Sequence, residues 1–190
     1  MFTRGNRRVG PMSSGRWASL SCMSEFLPEP PVEEQRPAQP YLGIRMTVTM
    51  ATIPQLADRF PELFGWLAAH GVEPAGAPFF RYHVIDMEHE LDMEAGVPVA
   101  TPVEGDAVVS AGELPAGRYL TASYTGHPRE LVSVTRDFLF WARDHGLTFD
   151  RWDTPAGDAW RSRLEFMLTD PAVEPDMAKW STQLAFKLAD

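Results

Sequence analysis

From Tyr41 the chain alternates. Leu42, Ile44, Met46 and Val48 are separated by Gly43, Arg45, Thr47 and Thr49. A period of two predicts a half-buried strand. The period then changes. Leu56, Phe60, Leu63, Phe64 and Leu67 fall at helical spacing, opened by Thr52 and Pro54 and closed by His70-Gly71. Pro61 lies inside this run and predicts a kink or a restart, because it lacks the N–H that an interior turn requires. Residues 79–85 and 90–99 read as two further strands joined by a charged turn.

The second half repeats this order. Gly117–Thr125 predicts a strand, and His127-Pro128 opens a helix whose apolar face is Leu131, Val134, Phe138, Trp141 and Ala142. His145-Gly146 closes it. Leu63-Phe64-Gly65-Trp66 aligns with Phe138-Leu139-Phe140-Trp141, and His70-Gly71-Val72 with His145-Gly146-Leu147. Strands at 161–168 and 180–188 complete the half. Met93-Glu94 is laid over Leu164-Glu165. An internal duplication of a strand–helix–strand–strand unit accounts for this order. The fold class expected is α+β: a pseudo-two-fold antiparallel sheet, two helices on one face and a ligand cleft on the other. Trp66 and Trp141 are read as core residues, His70 and His145 as helix-end residues facing the negative end of the dipole.

Composition changes the picture mainly at the N-terminus. The 190 residues carry a net charge of −9. Residues 1–22 hold four arginines and no acid, so the rest is more acidic than the total. Residues 27–40 contain five prolines without apolar periodicity and read as an extended linker. The expected organisation is a disordered leader and linker over residues 1–40 and one folded domain over 41–190. An acidic domain is a poor match for a phosphate backbone, so no nucleic acid is expected as partner. No apolar run is long enough to span a membrane, and none is expected as partner. A single cysteine, Cys22, excludes a disulfide framework and a multi-cysteine metal site. The location expected is cytoplasmic.

Candidate chemistry centres on two glutamates. Within 161–168, strand alternation places Arg163, Glu165 and Met167 on one face and Leu164, Phe166 and Leu168 on the other. The apolar set reads as the helix-covered core, which sends Glu165 to the open face. By the repeat, Glu94 does the same from the other half. A carboxylate on a concave, aromatic-lined face is partly desolvated and attracts a cation or a proton donor. The plain alternative is a solvated strand acid or an ion-pair partner of Arg163 or Arg81. His83, Glu88 and His89 match no recurrent metal spacing, so neither a metal nor another cofactor is expected. Phosphate-binding and nucleophile-elbow motifs are absent. Pattern alone does not separate core from cleft among Tyr82, Tyr124, Trp152, Trp160 and Trp180.

The run Arg163-Leu164-Glu165-Phe166-Met167-Leu168-Thr169-Asp170-Pro171, followed by Glu174-Pro175-Asp176 and Lys179-Trp180, resembles the C-terminal signature of the GyrI-like small-molecule-binding family. Segments 78–83, 93–99 and 114–119 are similar to that family too, in the same order. The resemblance implies the duplicated unit read above, and a hydrophobic or aromatic, often cationic, ligand in a cleft between the halves. It assigns the polar anchor to Glu165; the ligand contacts expected beside it are Tyr82, Tyr124, Met167 and Trp160. Some stand-alone members hydrolyse cyclopropane-bearing alkylating natural products, which would make Glu165 and Glu94 a catalytic pair acting on water and leaving group. The family often has Tyr where this chain has Met167, and His where it has Tyr124. Direct transcription regulation is not expected, since the segment before Tyr41 is too short for a helix-turn-helix. A protein partner has only family analogy behind it.

Overall fold

The computed structural model describes residues 27–190. The expected leader over residues 1–22 lies outside the described residues. Ten strands form one curled antiparallel sheet: β1 (Val32–Arg36), β2 (Gln39–Val48), β3 (Phe79–Ile85), β4 (Leu91–Pro98), β5 (Ser110–Leu114), β6 (Gly117–Thr125), β7 (Arg151–Thr154), β8 (Gly157–Trp160), β9 (Arg163–Met167) and β10 (Ser181–Lys187). Three helices accompany it: α1 (Ile53–Ala57), α2 (Phe60–Ala69) and α3 (Leu131–Asp144). The fold is α+β, as the duplicated pattern predicts, and the sheet curls into a half-barrel.

Pro61 restarts the first helix. α1 ends at Ala57 and α2 begins at Phe60, with Pro61 in the first turn, where its missing N–H costs no hydrogen bond. His127 caps the second helical segment through its side chain, which accepts from the Arg129 N–H, and a single 3-10 turn over Pro128–Glu130 leads into α3. The two helices end alike. Gly71 and Gly146 take φ of 65° and 71°, the left-handed stop that a side chain disfavours. His70 stacks on Trp66 at 3.8 Å and His145 on Trp141 at 3.7 Å, and each imidazole Nδ1 lies 2.8 Å from the tryptophan carbonyl. The repeated Trp-x-x-x-His-Gly is therefore a repeated structure. The tryptophans are half-buried platforms at the margin of the core, not its centre.

Sheet order runs β1-β6-β10-β9-β3-β4-β2-β5. This order reads the same from both ends once the halves are exchanged: β3 answers β9, β4 answers β10, β2 answers β6, and β5 answers β1. The expected overlay of Glu94 on Glu165 is corrected by it. Glu94 sits on β4, whose counterpart is β10. The β7–β8 hairpin, inserted between α3 and β9, shifts the sequence offset in the second half only. At the junction of the halves the pairs are Phe79–Phe166, Phe80–Glu165 and Arg81–Leu164. Glu165 thus lies in the middle pair, at the centre of the duplication.

The folded chain also starts earlier than Tyr41. Val32–Arg36 pairs along its whole length with β6, and Leu27 is buried in the main core. The proline count hid this strand, because Pro30, Pro31 and Pro37 flank a proline-free run of five residues. An edge strand needs no apolar face, and β1 has none; Val32 is 60% exposed.

Partners across an antiparallel ladder share a face. One face carries Leu42, Ile44, Met93, Ala95, Leu120, Leu184 and Phe186, and receives Leu56 of α1, Leu63 and Leu67 of α2, and Val134, Phe138 and Ala142 of α3. Each fully buried Leu or Phe here contributes about 1.5–3 kcal/mol. The opposite face carries Tyr41, Phe79, Leu114, Tyr119, Leu164 and Ala185, a separate cluster without helix residues.

Candidate functional site

β9 is the strand that presents chemistry to both faces. Leu184 and Phe80 flank Glu165 in the ladder, and both lie on the helix-bearing face. Glu165 therefore leaves the sheet on the helix-bearing face, while Leu164 and Phe166 point to the face without helices. The expectation was the reverse. Its premise, that the apolar set of a strand marks the covered side, fails because both faces of β9 are covered: the helices close one and the curled sheet closes the other.

Glu165 is 7% exposed and accepts a hydrogen bond from the Tyr82 hydroxyl at 2.9 Å. Burial raises its pKa above the usual carboxylate range, against partial relief from the Arg163 guanidinium and the Tyr82 hydroxyl. Burial also pushes the Tyr82 phenol well up, so it stays a donor. Arg163 stacks over Tyr82, Trp160 and Phe186 at 4.9–5.1 Å from their centroids, and its Nε has no hydrogen-bond partner among the described residues. Its guanidinium is stabilised by ring faces and by the nearby carboxylate, and burial lowers its pKa.

A cleft of about 490 Å³ opens on this face between α2 and the end of β9, lined by Phe60, Phe64, Pro78, Met167 and Asp170. Met167 and Glu165 alternate along β9 on one side, about 7 Å apart for two residues of strand. Phe60 at the cleft wall packs on Phe80, 5.5 Å between centroids, and Phe80 is the ladder partner of Glu165. Met167 and Phe60 thus stand on the cleft wall, each one step removed from the buried carboxylate.

The other expected contacts separate. Met167 lines the cleft and Tyr82 holds Glu165. Tyr124 is 7% exposed and hydrogen-bonded to Glu130; burial and that carboxylate push its phenol up to about 12. Trp160 is 4% exposed and packed on Phe149 and Phe186, with its indole N–H on Asp158 at 3.0 Å. Trp160 is a core residue.

Glu94 belongs to a different network on the face without helices. It is 4% exposed; its Oε2 accepts from Tyr41 at 2.7 Å and lies 2.9 Å from His83 Nε2. Arg81 donates to the Tyr41 hydroxyl at 2.9 Å. The register of β3 slips between Tyr82 and Val84, and this bulge aims His83 at Glu94. Burial would raise the Glu94 pKa, but the His83 and Tyr41 hydrogen bonds outweigh it and hold the carboxyl below its ordinary value. Gly43 makes room: a Cβ there would sit 2.6 Å from Glu94 Oε1. Sequence reasoning missed Tyr41, His83 and Arg81 as a set, since only the fold of β2 onto β4 and β3 assembles them. His83 and His89 take separate partners: His83 meets Glu94, and His89 pairs with Asp86 at 2.9 Å. Among the described residues no helix is long and apolar enough to cross a membrane.

The duplicated half-barrel, with a cleft between α2 and the end of β9, is the fold of a small-molecule-binding class of domain. The chain belongs to the GyrI-like small molecule binding domain family, whose model matches residues 29–157. No curated protein sequence matches it significantly. Among solved structures it is similar to the EcmrR C-terminal domain, with TM-score 0.66, 17% identity, and coverage of 84% of this chain and 97% of that one. It spans only 57% of the longer EcmrR chain seen in a DNA complex. It is also similar to SAV2435 bound to tetraphenylphosphonium, with TM-score 0.55, 10% identity, and coverage of 85% and 94%. A hydrolase from Listeria innocua matches at TM-score 0.55 and 14% identity, covering 84% and 92%. At these identities the likenesses show the fold alone.

Proposed function

We propose that this protein binds a hydrophobic, aromatic and cationic small molecule at the cleft between α2 and β9, with Glu165 as the polar anchor and Tyr82 and Met167 beside it. The observation behind this reading is a buried carboxylate at the centre of the duplication, held by one phenol and two residues along β9 from Met167, which lines an apolar cleft. An organic cation entering past Met167 and Phe60 would supply the charge that burial denies to Glu165, and the unbranched thioether of Met167 can move without strain. A cytoplasmic location is part of this reading, in keeping with a lone cysteine.

The two-carboxylate hydrolase is not favoured. Glu165 and Glu94 leave opposite faces of the sheet, so they do not converge on one ligand atom.

The reading is tested by calorimetric titration with tetraphenylphosphonium and its anionic isostere tetraphenylborate. The cation should bind more tightly, and Glu165→Gln should weaken it by about tenfold, which is about 1.4 kcal/mol. Equal affinity for the two ions, or unchanged cation affinity in Glu165→Gln, would defeat it.

A further inference from the structure

The face of the sheet without helices holds a second cavity, of about 220 Å³. Leu164 and Phe166 of β9 form its floor, and Leu114 and Tyr119 stand beside them. These floor residues alternate with Glu165 and Met167, so one strand serves two cavities on opposite faces. The volume is below the roughly 300–1,000 Å³ of pockets that hold drug-sized ligands. An occupant must be small.

The cavity lining is apolar apart from Arg36 and Gln39. Arg36 of β1 holds its guanidinium 5.2 Å from the Phe166 ring centroid and 5.6 Å from that of Tyr119, the two rings that wall the space. Arg36 Nη2 donates to Gln183 Oε1 at 2.8 Å and Nε to Glu34 Oε1 at 2.7 Å. Nη1 makes no hydrogen bond among the described residues. The cation is thus oriented by two rings and an amide before any ligand arrives, which reduces the ordering a ligand must impose. Glu34 is 41% exposed and meets Arg36 from the solvent side, a pairing that water and salt screen. Gln39 lines the same cavity. Its Nε2 donates to the carbonyls of Pro40 and Val99 at 3.0 and 2.8 Å, which fixes the amide and leaves its oxygen as an acceptor without a hydrogen bond among the described residues.

The geometry points to a second ligand site on this face, for a single-ring aromatic carboxylate. The ring lies against Phe166, Tyr119 and Leu164, the carboxylate meets Nη1 of Arg36, and a hydroxyl on the ring can donate to Gln39. The site takes the charge opposite to that of the ligand proposed for Glu165, and neither site shares a side chain of β9 with the other.

The test is an NMR titration of the full chain with 4-hydroxybenzoate. Saturable binding is expected, weaker by about tenfold or more in Arg36→Gln and equally weaker for the uncharged methyl ester. Gly76 lines the cavity, and a Cβ there meets nothing nearer than the Pro98 ring at 3.4 Å, so Gly76→Leu should fill the space in a folded protein and abolish binding. Circular dichroism confirms the fold of both variants. Glu165→Gln should leave 4-hydroxybenzoate affinity unchanged, whatever it does to tetraphenylphosphonium, which separates this site from the first. Absence of saturable binding, binding retained in Arg36→Gln or in folded Gly76→Leu, or loss in Glu165→Gln overturns the proposal.

Discussion

Tyr82 donates its hydroxyl to Glu165 Oε2 at 2.9 Å, and this bond links the first half of the molecule to the second. It stands between a strand of each half, on the face that the helices cover.

Removing the hydroxyl should be costly for that reason. In Tyr82→Phe the buried carboxylate loses a donor, and stability should fall by about 1–3 kcal/mol, as expected when a buried polar group loses its partner. The Glu165 pKa should rise further. Urea unfolding measures the first effect and carboxyl-carbon NMR across pH the second. A variant as stable as wild type with an unmoved Glu165 titration would show that the bond does not matter.

The two buried glutamates should respond to pH with opposite sign. Burial raises the Glu165 pKa in the fold. Between the ordinary carboxylate range and that raised value the folded chain binds more protons than the unfolded one, so this group makes the protein less stable as pH rises through the window. Glu165→Gln should remove that loss and gain on wild type toward neutral pH. Glu94 is held below its ordinary value. Its contribution is full above the ordinary range and is lost as pH falls through the lowered pKa. Glu94→Gln should therefore destabilise at neutral pH, and the deficit should shrink in acid. Unfolding curves between roughly pH 3 and 8, spanning the ordinary carboxylate range, decide both signs.

The close approach at Gly112 should be intolerant of a side chain. A Cβ there would lie 2.3 Å from the Tyr41 ring, which anchors the Glu94 network. Gly112→Ala should cost about 1–3 kcal/mol through forced displacement of the ring. Thermal unfolding reads this out, and a melting temperature equal to wild type would refute it.

The paired helix stops should behave alike. Gly71 and Gly146 have left-handed φ and nothing within 4 Å of an added Cβ. Alanine at either should cost about 1–2 kcal/mol from backbone conformation alone. Costs that differ widely between the two sites in denaturant unfolding would argue against a conserved geometry of the two halves.

A chain beginning at Tyr41 should fold poorly. It lacks β1, the partner of β6, and Leu27, which fills part of the main core. Leu27→Ala alone should cost about 2 kcal/mol. A shortened chain with full cooperativity and unchanged melting temperature would restore the later boundary.

The periodicities of this chain determined most of its elements. Alternation in 41–48 and helical spacing in 56–67 are local consequences of which side chains meet the core, so they are visible in one dimension. The Trp-x-x-x-His-Gly repeat is local too, and it disclosed the duplication. Strands β1, β5, β7 and β8 escaped notice because they are short or polar and exist by pairing with distant strands. Alternation also showed that Glu165 and Leu164 oppose one another, but not which faces the helices. That sign is set by sheet order, which places β9 beside β3 and curls the ends over its far side. Glu94 and Glu165 looked equivalent in sequence because the β7–β8 insertion displaced the repeat; strand register puts them on opposite faces. Local spacing fixes which residues share a face; only long-range pairing decides what that face meets.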